Sequence, residues 1–338
     1  MNVKIPSSPI TELGIYRLNS RHIKLNNILR EVKSVTRTYG AIILSMIFWS
    51  FSFIWFKIAN QTFRPITIIF IRLTFSVILL SLFLFLTKNF VKVKKEDRKL
   101  FVMLATFEPF CYFFGESFGL TYVSATVASV LISTIPVVAT LGAMVIFKER
   151  LKAVNYAGII ISFIGVVVFI INKNGTLSFN IRGLVLLMIA VISASGYNLT
   201  LSRLVGRYSP VFIVDIQNII GAILFLPFFL FLDLHHFIDT TFSFSHFIPI
   251  IELAVFASCG AFILFAYSVG NMGITKANVF SNCIPVFTAL FSFILMGDKL
   301  TFQNIAGMAI VITGLLLSQM NGHHKKTDEA LILTGKTA

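Results

Sequence analysis

The chain has little charge. Only 12% of its 338 residues are Asp, Glu, Lys or Arg, about half the share of a typical soluble domain. It also lacks the patterns of soluble chemistry. No GxxxxGK[ST], GxGxxG or HExxH occurs, so nothing points to a phosphate-binding loop, a dinucleotide fold or a zinc protease. Its three cysteines, Cys111, Cys259 and Cys283, each sit inside an apolar stretch. They show neither metal-ligand spacing nor a disulfide framework. The six histidines fall in the tails or in residues 235–246. No catalytic residue, metal or cofactor is therefore expected. The first 38 residues lack the early apolar core of a signal peptide. With Leu25, Ile28, Leu29, Val32 and Val35 at helical spacing among basic residues, they read as a basic segment lying against the membrane.

What the chain does have is hydrophobic length, with 57% of its residues apolar. Apolar runs of about 20 residues, enough to cross a bilayer, recur almost throughout. A chain in lipid must satisfy its backbone within helices or a closed barrel, and the runs are continuous rather than alternating. The fold class expected is an all-α membrane protein. Ten spans are predicted, at 39–60, 65–87, 100–120, 124–147, 154–171, 183–204, 210–232, 247–269, 275–296 and 302–320.

The chain repeats itself. Residues 126–167 lie on 275–316 without a gap, with identical residues at Thr126, Ile135, Pro136, Asn155, Gly158 and Gly165 among others. More weakly, 65–80 matches 210–225, and Ser50 and Ser52 match Ser193 and Ser195. Spans 1–5 and 6–10 are two copies of one unit. Five is odd, so the second copy inserts upside down. Charge supports this: with both termini cytoplasmic, 22 of the 28 Lys and Arg fall inside and four outside, as the positive-inside rule asks. That rule accounts for the net charge of +14 without a nucleic-acid partner. The organisation expected is a basic N-terminal segment (1–38), a first repeat (39–171), an outer linker (172–182), a second repeat (183–320) and a cytoplasmic tail (321–338). Inverted repeats build two mirror-related states around a site at the middle of the membrane.

These features resemble the EamA-type, ten-helix branch of the drug/metabolite transporter superfamily. The marks are "WSFSFIWFK" at 49–57, "RLTFS" at 72–76 and the two proline–acid–base–leucine–glycine copies at 136–165 and 285–314. The second copy has Gly297-Asp298 where the first has Lys148-Glu149, and no basic residue matches Arg72. The resemblance implies a secondary transporter of the bacterial inner membrane, often an exporter of amino acids or other small metabolites. Its partners would be the lipid bilayer and a small-molecule substrate, with a homodimer left open. Nucleotide-sugar, lipid-linked or drug cargo on the same fold stays an alternative, as does a non-transporting membrane enzyme or sensor.

Charged groups inside spans cost about 2.5–3.5 kcal/mol each on insertion scales, so each needs a partner or a purpose. The stretch "FEPFCYFFGESFG" (107–119) holds two. Glu108 falls near mid-bilayer, beside the helix-breaking Pro109, with no basic residue at its depth. It reads either as a neutral acid hydrogen-bonded across helices or as a proton carrier or ammonium anchor. Glu116 lies about 12 Å further out at helical rise, in the same layer as Arg72 and Lys57, which suggests an ion pair or outer gate. Trp49, Ser52, Tyr112, Asn198, Asp215, Gln217 and Asn218 are the other candidates for substrate contact. Pro136 and Pro285 are matched candidates for helix kinks.

Overall fold

A computed structural model describes residues 35–139, 141, 153–170, 180–241, 243–298 and 301–319. The N-terminal segment, the loop "KERLK", most of the 172–182 linker and the C-terminal tail lie outside these residues. The helices, in chain order, are α1 (Val35–Ala59), α2 (Pro65–Leu86), α3 (Arg98–Ala105), α4 (Tyr112–Tyr122), α5 (Ala125–Ala139), α6 (Ala153–Ile170), α7 (Ile181–Leu204), α8 (Pro210–Asp239), α9 (Phe244–Met272), α10 (Ile274–Met296) and α11 (Phe302–Gln319). No strand forms among the described residues, apart from an isolated bridge between Val205 and Tyr208.

Six of these helices, α1, α2, α7, α8, α9 and α10, are long and apolar enough to cross a membrane. α5, α6 and α11 are apolar but shorter. Large apolar side chains such as Ile78, Phe85, Phe231 and Ile294 stand exposed on the outer surface. A surface this apolar suits hydrocarbon rather than water, and the fold is that of an all-helical membrane protein. Helix starts follow local chemistry: Pro65 and Pro210 occupy first-turn positions, and the Ser124 and Ser209 hydroxyls accept from Val127 N and Phe212 N.

One stretch departs from the sequence expectation. Residues 233–246 are expected as a loop, yet α8 continues through a wide, π-helical turn (Phe229–Asp233) to Asp239. Asp233, 4% exposed, is tolerated there because Thr67 N and Thr67 Oγ1 both donate to its Oδ2 at 3.0 Å.

Counterpart helices of the two halves pack against each other: α2 on α8, α5 on α10 and α6 on α11. The α6–α11 seam is the tightest. A Cβ on Gly158 would lie 2.2 Å from Ser318 N, and one on Gly314 would lie 2.3 Å from Ser162 N. Seam contacts come in reciprocal pairs. Asn155 Nδ2 donates to the Ser318 carbonyl at 2.8 Å, and Asn304 Nδ2 donates to the Phe169 carbonyl at 3.1 Å. Asn155 maps to Asn304, and Phe169 to Ser318, at the same offset that lays 126–167 on 275–316. Gly165 against Val311 mirrors Gly314 against Ser162 in the same way.

Candidate functional site

The site begins with a break. Between α3 and α4 the chain makes a wide turn over Thr106–Cys111, and Glu108 leaves helical backbone altogether (φ −147°, ψ 119°). Pro109 brings no amide hydrogen to the turn, and the Glu108–Pro109 peptide is cis. Neighbouring helices receive the broken segment. The Ser193 hydroxyl on α7 donates to the Phe107 carbonyl at 2.7 Å. The Phe107 ring rests on Gly196, and the Pro109 ring on Gly221 of α8, where a Cβ would come within 2.2 Å of Pro109 Cγ. Irregular backbone in lipid is tolerated where protein satisfies it or where it lines a cavity, and here it does both.

Glu108 opens onto a cavity of about 50 Å³ between the two halves. Its charged lining is Arg72 from α2, Glu108, and Glu116 from α4. Its aromatic walls include Trp49, Tyr112, Phe113, Tyr197, Phe262 and Phe265. Ser52, Asn198, Asn278 and Ser281 complete the polar part. Ile135 and Ile284, the residues immediately before Pro136 and Pro285, also line it. Their carbonyls accept from Ser195 Oγ (3.5 Å) and Ser50 Oγ (3.2 Å) on the first helices of the opposite halves. Both prolines follow an irregular turn, at Ser133–Thr134 and at Phe280–Cys283.

The charged side chains are held in different ways. Arg72, 2% exposed, donates from Nε to Ser258 Oγ at 2.9 Å. Its guanidinium carbon lies 3.9 Å from the centre of the Phe113 ring, a cation–π stack. Glu116 Oε1 accepts from the Tyr112 hydroxyl at 3.0 Å. The Glu108 carboxyl, 6% exposed, has no hydrogen-bond partner among the described residues. Nor, among them, does an ion pair join Arg72 to either glutamate. Trp49 packs edge-on against Phe262 and tilted against Phe265, with ring centres 5.2 and 5.0 Å away. Asn198 Nδ2 donates to Asn278 Oδ1 at 3.2 Å, and Ser52 Oγ to the Trp49 carbonyl at 2.7 Å.

The remaining candidates lie outside this lining. Asp215, fully buried, accepts from Ser81 Oγ at 3.0 and 3.2 Å. Gln217 Oε1 accepts from the Tyr197 hydroxyl at 3.3 Å, and Asn218 Nδ2 donates to the Ser258 carbonyl at 3.3 Å. These two contact cavity residues or their supports without facing the cavity themselves. Lys57 is half-buried near the end of α1, and the charge acting on it is Asp298, just after α10.

Sequence reasoning missed Ser258, Asn278, Ser281 and the second aromatic wall of Phe262 and Phe265. Asn278 and Asn282 in the apolar run of α10 were the available signal. It also took the GxSxG of a serine nucleophile elbow to be absent, although Gly-Glu-Ser-Phe-Gly at 115–119 spells it. In the structure this stretch is mid-helix, not a strand-to-helix turn. Gly115 and Gly119 press on Leu186, Leu187 and Ala190 of α7, and Ser117 is fully buried. The pattern is a helix-packing face.

Known proteins match this chain along most of its length. The model of the EamA-like transporter family matches residues 36–171 and again 181–320. An uncharacterized transporter of Archaeoglobus fulgidus is 27% identical over 275 residues, covering 81% of this chain and 95% of that one. A second from the same organism is 26% identical over 292 residues, covering 85% and 99%. Uncharacterized transporter YcxC of Bacillus subtilis is 23% identical over 296 residues, covering 85% and 94%. A crystal structure only 13% identical superposes with a TM-score of 0.64, over 84% of this chain and 98% of its own, and so shares the fold. With its model matched twice, once in each half, this multi-pass membrane protein belongs to the EamA-like transporter family.

Proposed function

We infer that the protein is a secondary transporter that moves a small polar or amphipathic metabolite across the bacterial inner membrane by alternating access. One observation carries this reading: a polar, aromatic-walled cavity lies between the two halves and is bordered by their helix breaks. A channel has no need of such an enclosed site, whereas a carrier binds its cargo there and exposes it to each side in turn.

Ten spans in two inverted five-helix repeats supply the motion. In that arrangement α3 and α4 form one broken span, and α6 and α11 stand outside the central helices. The reciprocal contacts at the α6–α11 seam support a two-fold relation between the halves. At about 50 Å³ the cavity has room for a few waters, so a metabolite enters only when the halves part. Both termini lie in the cytoplasm, and the amino-acid-like export common in the family is the favoured direction and cargo class. Glu108 is the proton or ammonium site.

Counterflow in proteoliposomes tests the reading. Vesicles preloaded with an unlabelled metabolite mixture should accumulate labelled counterparts of the cargo transiently, and empty vesicles should not. Absence of counterflow for every metabolite that stabilises the purified protein would refute a transporter.

A further inference from the structure

The guanidinium of Arg72 is fixed but not satisfied. Nε is committed to Ser258 and the plane is stacked on Phe113. Its two terminal nitrogens have no hydrogen-bond partner among the described residues, and the side chain lines the cavity. Glu116, the partner suggested by depth, acts on Arg72 through its charge but takes its hydrogen bond from Tyr112. The rest of Arg72 is anchored so that the free edge of a planar fork is presented to whatever fills the cavity. Such a fork matches a carboxylate with two parallel bonds. Glu108, likewise without a hydrogen-bond partner among the described residues, lines the same cavity.

Buried charge then narrows the cargo. A charge held out of water is tolerated only with a good partner. A purely cationic cargo would satisfy Glu108 and leave the terminal nitrogens of Arg72 without a hydrogen-bond acceptor, with Glu116 acting on them through charge alone. A purely anionic one would do the reverse. A zwitterion adds no net charge and gives each its partner. Resting on the transporter reading above, we propose that the terminal nitrogens of Arg72 hold the carboxylate of a zwitterionic cargo, whose ammonium end lies at Glu108. Arg72 is then a specificity-determining residue, and the cargo has a fixed polarity, with its acid end toward α2 and α9 and its amine end toward the α3–α4 break.

The test compares three probe series on the purified full-length protein: the twenty free L-amino acids, their methyl esters and their N-acetyl derivatives. Each is read by thermal stabilisation in detergent and by competition in counterflow. The expected result is that at least one free amino acid stabilises the protein, with its ester and its N-acetyl form each at least about tenfold weaker. In Arg72→Gln the advantage over the ester should vanish, while in Glu108→Gln the advantage over the N-acetyl form should vanish. Arg72→Lys keeps the charge without the fork and should keep part of the preference for the acid. It also serves if Arg72→Gln does not fold. The proposal is overturned if acid and ester stabilise the wild type equally, if Arg72→Gln weakens both alike, or if no free amino acid binds. Stabilisation with acid–ester discrimination but no counterflow would sink the transporter reading and leave the fork standing. Counterflow of some solute without that discrimination would do the opposite.

Discussion

At the scale of single residues, Glu108 lines the cavity beside Arg72 and has no hydrogen-bond partner among the described residues. A carboxylate and a proline in an otherwise apolar run stand out because lipid makes both costly. The serine that fixes Arg72 and the asparagine that meets Asn198 do not stand out, because small polar residues in membrane helices read first as packing. The suggested pairing of Arg72 with Glu116 came from depth alone. Helical rise gives a residue's layer but not its direction around the axis, and Arg72 turns to Ser258 and Phe113. Two predictions belong here. Glu108→Gln should lower transport in liposomes at least about tenfold, the scale of one lost charged contact, and flatten its dependence on pH. Unchanged rate and unchanged pH profile would remove Glu108 from the mechanism. Gly221→Val, by contrast, should damage folding rather than chemistry, since the new side chain has only the Pro109 ring to occupy. Overpacking of this kind costs about 1–3 kcal/mol. A thermal-unfolding midpoint equal to that of the wild type would show that the break relaxes freely.

At the scale of elements, helix ends among the described residues followed the sequence to within a few residues, except that α8 runs on to Asp239, because apolar length is read directly from composition. What sequence could not place was irregularity. The wide turns at Phe229–Asp233, Leu253–Ala261 and Ser292–Met296 carry no signal as plain as Pro109. Leu253–Ala261 falls in the half-counterpart of the span broken at Glu108, and it brings Ser258 to Arg72. The glycines of "AGIIISFIG" (157–165) and "AGMAIVITG" (306–314) stand seven apart at matched positions, but sequence hides their partner: each is the partner of the other. Gly158→Leu and Gly307→Leu should therefore disable the same seam, the first against Ser318 and the second against Phe169. Their destabilisation, measured by thermal unfolding in detergent, should be less than additive in the double variant, because both act on one interface. Full additivity would argue against a shared seam.

At the scale of the whole molecule, two buried aspartates tie the halves together at opposite ends. Asp97, just before α3, accepts from Arg207 Nη1 at 2.7 Å and from the Tyr208 hydroxyl at 2.8 Å, while Lys94 N donates to that same hydroxyl oxygen at 3.1 Å. Asp233, late in α8, takes two bonds from Thr67 at the start of α2, with Arg64 at 3.8 Å. Each tie joins a segment of the first half to one of the second. In the orientation proposed above, the Asp97 tie belongs to the cytoplasmic end and the Asp233 tie to the outer end. Alternating access requires that one end open while the other stays shut, so the ties should oppose each other. Hydrogen bonds to a charged group contribute about 1.5–3 kcal/mol each, enough to shift a two-state balance by tenfold or more. The measurement is labelling of Asn278→Cys, a cavity position, in a background with Cys111, Cys259 and Cys283 replaced, using an impermeant maleimide added from either side of oriented vesicles. Asp97→Asn should speed labelling from the side of the 88–99 loop and slow it from the other. Asp233→Asn should do the reverse. If both substitutions speed labelling from the same side, the ties are ordinary packing contacts, and the gates lie elsewhere in the bundle.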